Sequence, residues 1–198
     1  MRLTLKVALL AGDKNGADQG STRALEDLGG QRLIDVQIAG LQKLGLEVMA
    51  ILNYGDCEDI LRSSKLLSEC ELIFDPNEDS GFFSQLSAAC YGSEERFFAL
   101  PLHTPVPAKP TWLRMEHHFY KKAHESSCAL FQPFCPQRGE LIAGFPLLIT
   151  RKGLKLFRDE RNFTSLTDER ITVSRVPILS QDIIALFPAP HSPLRDLA

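Results

Sequence analysis

The sequence predicts an α/β fold of three layers, a mostly parallel sheet with helices on both faces. Three observations predict it. Short apolar runs end in polar or Gly/Pro-rich turns. Segments with apolar residues at helical spacing separate those runs. The two kinds of segment alternate regularly through the first half of the chain, which is the rhythm of βαβ units. In such sheets ligands bind beyond the carboxyl ends of the strands, so the loops after Leu10, Leu52, Phe74 and Leu100 are expected along one edge.

The start, from Met1 through Lys6, has charges inside its apolar stretch and no signal-peptide layout, so it reads with Val7–Leu10 as a first buried strand. A polar loop, Gly12 to Thr22, follows. Leu33, Ile34, Ile38, Leu41 and Leu44 recur at helical spacing and predict a helix over residues 31–44, capped by Gly45. Leu46–Leu52 is a second buried strand, closed by Asn53-Tyr54-Gly55-Asp56. Asp59–Leu67 is a helix that buries Ile60, Leu61 and Leu67, and Glu71–Phe74 a short strand. Phe82–Cys90 is a helix whose small residues (Ser84, Ser87, Ala88, Ala89) permit close packing on a sheet. Phe97–Leu100 is the fourth strand.

The second half is less regular. Val106-Pro107-Ala108-Lys109-Pro110 is a stiff connection. Thr111–His124 reads as a helix with Thr111 as its N-cap. Cys128–Phe134 and Leu141–Thr150 are β-like, Arg151–Asp159 a short helix, Ile171–Val176 a strand and Gln181–Phe187 a last helical turn or two. The expected organisation is one domain over residues 1–187 and a proline-containing flexible tail over 188–198.

With 198 residues and 44% hydrophobic content, the chain can bury one sizeable core. A net charge of −3 gives no bulk attraction to nucleic acid or to a membrane surface. No apolar run is long enough to span a bilayer. The five cysteines are odd in number, widely spaced and without a C-x-x-C pair, which fits reduced thiols of a cytoplasmic protein rather than disulfides or a zinc site.

Several segments carry a family resemblance. Leu10-Ala11-Gly12, then Arg23-Ala24-Leu25-Glu26-Asp27-Leu28-Gly29-Gly30-Gln31-Arg32-Leu33-Ile34, resembles the opening of MobA-like nucleotidyltransferases, the molybdenum cofactor guanylyltransferases and cytidylyltransferases. That pattern is L-A-G-G-x-S-x-R-M-G-x-x-K followed by L-x-G-x-P-L-I. Gly81-Phe82-Phe83-Ser84-Gln85-Leu86 is similar to the family's G-P-L-x-G-I stretch, Leu100-Pro101-Leu102-His103-Thr104-Pro105 to its L-P-x-D-x-P stretch, and Gly144-Phe145-Pro146 to its later G-H-P. The ordered set covers about residues 3–158.

The resemblance implies a Rossmann-like nucleotide-diphospho-sugar transferase fold. It implies attack on the α-phosphate of a nucleoside triphosphate, with release of pyrophosphate, supported by Arg and Lys charges and a carboxylate-held Mg²⁺. The chain departs from the pattern at chemically decisive places. Asp13 replaces the second glycine, Asp18 the arginine and Gln19 the methionine, allowing one inserted residue. Arg23 replaces the lysine, Gln85 the second glycine of G-P-L-x-G, and His103 the metal aspartate. An imidazole is a poor ligand for a hard cation that prefers oxygen.

Other constellations read as structure. His117, Lys121 and His124 share a helix face, which puts a cation among supposed metal ligands. Asp13 with Asp18 reads as a solvated loop, and Trp112 with Phe119 and Tyr120 as partly core. No G-x-S-x-G or catalytic-cysteine context appears.

The expected function is therefore that of a divergent MobA-like nucleotidyltransferase-fold protein. It binds an NTP or nucleotide conjugate, with nucleotidyl transfer reduced or lost. The alternative is a non-catalytic binding or regulatory module that keeps the fold. The expected nucleotide-binding set is Leu10, Ala11, Gly12, Arg23, Asn53, Gly81 and His103, with no catalytic residue or metal ligand assigned. Mg²⁺ is the implied cofactor if transfer is retained, and a nucleotide is the expected partner.

Overall fold

The computed structural model describes residues 5–12, 23–77, 81–122, 128–137, 140–160 and 162–184. Among these described residues eight strands form one sheet: β1 (Lys6–Leu10), β2 (Glu47–Asn53), β3 (Glu71–Asp75), β4 (Phe97–Pro101), β5 (Leu130–Gln137), β6 (Glu140–Ala143), β7 (Leu147–Ile149) and β8 (Val173–Pro177). The same residues form five α-helices: α1 (Leu33–Lys43), α2 (Cys57–Ser63), α3 (Phe82–Tyr91), α4 (Lys109–Lys122) and α5 (Arg151–Asp159). Single 3₁₀ turns lie at Arg23–Leu25, Leu67–Glu69 and Gln181–Ile183.

The strand order is β3-β2-β1-β4-β7-β5-β6, with β8 on the other side of β5. β3, β2, β1 and β4 run parallel to one another. β7 is antiparallel to both β4 and β5, and β8 is parallel to β5. β6 and β7 lie on the same side of β5 and are separated by Gly144-Phe145-Pro146, which accounts for the single β-like run expected over 141–150. Gly144 N–H donates to Pro133 O and Phe145 N–H to Ile183 O, so the interruption stays hydrogen-bonded.

The sheet's alternation sorts its side chains into two cores. Val7, Leu9 and Ala11 of the first strand and loop, with Phe98 and Leu100, meet Ile34, Ile38 and Trp112 of α1 and α4. Ala8, Leu10, Met49, Ile51 and Ala99 meet Leu86 and Ala89 of α3, and Leu154 and Phe157 of α5. This is the predicted three-layer arrangement, with continuous apolar runs because both faces are covered.

Local sequence explains most boundaries. α1 ends as expected, with Gly45 at φ +76°, the left-handed conformation that glycine adopts without strain, and its N–H on Gln42 O. α5 has the expected bounds because the Thr150 hydroxyl accepts from Gly153 N–H at 3.2 Å. Gly153 is required for contact as well, since a Cβ there would stand 2.2 Å from Ala129 O.

Two elements differ from expectation. Helix α2 stops at Ser63, so Leu67 lies in a separate 3₁₀ turn and Leu61 is 41% exposed rather than buried. The cause is Asp35 of α1, whose carboxylate accepts from the Ser64 hydroxyl and from the N–H groups of Lys65 and Leu66. Helix α4 starts at Lys109, so Thr111 sits in the first turn and is not the N-cap. Asp182 of a distant segment ties down this start, accepting Ala108 N–H, just before the helix, at 2.7 Å and the Thr111 hydroxyl at 3.5 Å. The last helical segment is described only as the 3₁₀ turn Gln181–Ile183. The tail over 188–198, His124, and Asp13 through Thr22 lie outside the described residues.

Burial also sets a pH response. The Cys90 thiol, enclosed by the α3–α5 layer, is pushed up from 9.0 to about 12 by desolvation, which the nearby Arg158 charge offsets only in part. The unfolded chain therefore releases this proton first as pH rises. The contribution to stability is complete below pH 9 and is lost between pH 9 and about 12. The urea midpoint of the wild type is expected to fall more steeply above pH 9 than that of Cys90→Ala. Parallel slopes would contradict this.

Candidate functional site

The parallel register brings the carboxyl ends of four strands to one edge. Leu10 pairs with Ile51 and with Pro101, and Asn53 with Asp75. The expected site residues Leu10, Ala11, Gly12, Asn53 and His103 therefore follow strand ends that share this edge, and Gly81 opens α3 beside it as the residue preceding Phe82.

At the end of β1 the backbone is almost fully committed. Leu10 O accepts from Leu102 N–H at 3.0 Å, and Ala11 N–H donates to Ile51 O at 2.9 Å. The side chains of Leu10 and Ala11 belong to the two cores, so these residues can offer a ligand little beyond shape. Gly12 N–H is the first donor beyond the ladder. It is taken by a side chain, the Oε1 of Gln85 on α3, at 3.0 Å.

The β2 and β3 ends carry two polar side chains on the α3 face. Asn53 is fully buried, and its Oδ1 accepts Gly55 N–H at 3.0 Å, closing an Asx-type turn. Asp75 is 2% exposed. Its Oδ1 accepts Asn77 N–H, whereas Oδ2 is buried and has no hydrogen-bond partner among the described residues. A buried carboxylate oxygen without a donor is costly, so Asp75 is a natural place for a ligand's hydroxyl or amino group. In the sequence Asp75 carries a single signal, an acid placed at a strand end.

His103 sits in a turn closed by Thr104 N–H on Pro101 O. The carbonyls on either side, Leu102 O and Thr104 O, both accept from Gln37 Nε2 at 2.6 Å. Gln37 is buried on α1, and it fixes the backbone that carries His103. It too was not anticipated, because a glutamine on a helix face has no local signature of this role.

Arg23 opens the 3₁₀ turn after the polar loop. Its side chain is 16% exposed and its Nε donates to Glu26 at 3.1 Å. Its Nη2 is buried without a partner among the described residues, a charged donor left over for an anion.

These residues do not fit an octahedral Mg²⁺ site. The position expected to supply a carboxylate holds the His103 imidazole. Among the described residues no group of three or more His, Cys, Asp or Glu side chains comes together as a metal set. Elsewhere, His117 and Lys121 are exposed on α4, in keeping with a solvated face, while Trp112 is fully buried. The five cysteines are free thiols.

No family model matches the chain, and no curated protein matches it in sequence. Solved structures do match its fold. Molybdopterin-guanine dinucleotide biosynthesis protein A from Archaeoglobus fulgidus aligns with a TM-score of 0.62 at 17% identity, over 87% of this chain and 83% of that one. Rv0371c from Mycobacterium tuberculosis H37Rv, in complex with manganese, aligns with a TM-score of 0.63 at 10% identity, over 89% of each chain. CMP:2-keto-3-deoxy-manno-octonic acid synthetase complexed with CTP aligns with a TM-score of 0.62 at 13% identity, over 96% of this chain and 93% of that one. The chain thus has the nucleotidyltransferase fold of the nucleotide-diphospho-sugar transferase type, as the sequence resemblance implied. Among the described residues no helix is long and apolar enough to cross a membrane.

Proposed function

We propose that this protein binds a nucleotide, as an NTP or a nucleotide conjugate, at the carboxyl edge of β1–β4, and that its capacity for nucleotidyl transfer is reduced or lost. Two buried groups left without a partner among the described residues support the reading: Asp75 Oδ2, an acceptor at the end of β3, and Arg23 Nη2, a cationic donor in the 3₁₀ turn that follows the polar loop. A hydroxyl or amino group of the ligand would answer the first and a phosphate the second. The fold supports the ligand class, since one structural neighbour is a complex with CTP. Free thiols suit a reducing compartment such as the cytoplasm.

Reduced transfer follows from chemistry. In-line displacement at an α-phosphate needs charge neutralisation of the leaving pyrophosphate. An imidazole at 103 does not supply the carboxylate that a hard metal cation prefers. His103 can still donate or accept one hydrogen bond.

The expected result for Arg23→Gln is a loss of nucleotide affinity of roughly 10- to 100-fold by titration calorimetry, from removal of a charge-assisted contact. An unchanged affinity would remove Arg23 from the site. Purified protein is expected to release no pyrophosphate from any NTP above the background rate. Release that disappears in His103→Ala would overturn the reduced-transfer part of the reading. The second reading, a binding or regulatory module, is favoured by the Gly12–Gln85 bond, which fills part of the edge with the protein's own side chain.

A further inference from the structure

We propose that Gln85 controls ligand entry at this edge: its amide occupies the Gly12 N–H in the resting protein, and a nucleotide binds only by displacing it. This rests on the nucleotide reading and adds a residue that sets its strength.

Gly12 N–H is the donor that a parallel sheet would present to a ligand at the end of its central strand. The neighbouring groups are already consumed by the ladder, at Leu10 O and Ala11 N. The acceptor on Gly12 comes instead from α3, 73 residues away in sequence. An N–H donor requires a carbonyl oxygen opposite it, so the orientation of the Gln85 amide is fixed. At 1% exposure the Gln85 side chain is packed into the place where a ligand atom would have to approach.

A ligand acceptor arriving here exchanges one hydrogen bond for another and gains nothing from the contact itself. It must also move a packed side chain. The start of α3 is tied to a separate segment, since the Phe82 ring packs on Phe145 with centroids 5.9 Å apart. The movable part is therefore the Gln85 side chain.

The test compares the full-length wild type with Gln85→Ala and Gln85→Glu, by calorimetric titration with ATP, GTP, CTP and UTP, with thermal melts of each protein. Alanine frees the Gly12 N–H and removes the packed amide. Glutamate keeps an acceptor on it. The expected result is binding roughly tenfold tighter for Gln85→Ala than for wild type, and no gain for Gln85→Glu. Equal or weaker binding by a folded Gln85→Ala overturns the proposal while the nucleotide reading stands. A second measurement needs no variant. In wild type at saturating nucleotide, the Gln85 side-chain NH₂ resonances are expected to shift, and unmoved resonances overturn the proposal even if Gln85→Ala fails to fold. Absence of binding to all three proteins overturns the nucleotide reading, and this proposal with it.

Discussion

Replacement of Trp112 by alanine is expected to lower the unfolding free energy by about 4 kcal/mol. Trp112 is fully buried between α4 and the sheet, and it is the largest side chain among the fully buried residues. Its ring meets Phe98 of β4 edge-on, with centroids 5.1 Å apart, and its Nε1–H donates to Pro107 O at 2.8 Å. Alanine removes the ring contacts, leaves a cavity and strands a carbonyl of the stiff 106–110 connection. Urea denaturation followed by circular dichroism reads the loss directly. Trp112→Phe keeps most of the ring and loses only the donor, so its cost is expected to be about 1–2 kcal/mol. Equal costs for the two variants would mean that the hydrogen bond, not packing, dominates. A loss under about 1 kcal/mol for alanine would contradict the burial of this residue.

Gln37→Leu is expected to cost about 3 kcal/mol. The leucine fills a similar volume but leaves two buried carbonyls, Leu102 O and Thr104 O, without their shared donor. The cost is of the kind that follows from stranding buried acceptors rather than from losing one favourable bond. The consequence extends to function. The turn that carries His103 is held on one side by Leu102 N–H to Leu10 O and on the other by the Gln37 amide. Amide exchange at Leu102 and Thr104 is expected to speed up more than exchange at β1 and β2. Uniform acceleration across the sheet would show global destabilisation alone.

Those two residues illustrate what the sequence could and could not show. The parallel half of the sheet was legible because β1, β2 and β4 are continuous apolar runs, each closed by polar or proline-containing turns. Helices α1 and α5 were legible because their limits are set by neighbours in sequence, Gly45 and Thr150. The errors came where a distant side chain decided a boundary. Asp35 ended α2 from about thirty residues away, at Ser64 through Leu66. Asp182 holds the residue just before α4 from 74 residues away. No local period or propensity encodes such contacts.

The same division holds at the site. Strand-end residues such as Gly12, Asn53 and His103 could be placed because a βαβ pattern fixes which loops share an edge. Whether a backbone donor there is free depends on a partner elsewhere. The Gly12 N–H donates to Gln85, 73 residues away in sequence. Gln37 carries no signal in isolation, and Asp75 was visible only as a strand-end acid. Arg23 was picked out by its place in the resemblance, and its Nη2 is buried with no partner among the described residues.

The account as a whole requires that a nucleotide binds this edge and is turned over slowly or not at all. The direct measurement is calorimetric titration of the wild-type protein with each of ATP, GTP, CTP and UTP, with and without Mg²⁺, followed by a pyrophosphate assay on the same samples. The predicted result is saturable binding of at least one nucleotide and no pyrophosphate released. No heat and no melting shift with any of the four, in either condition, would contradict it.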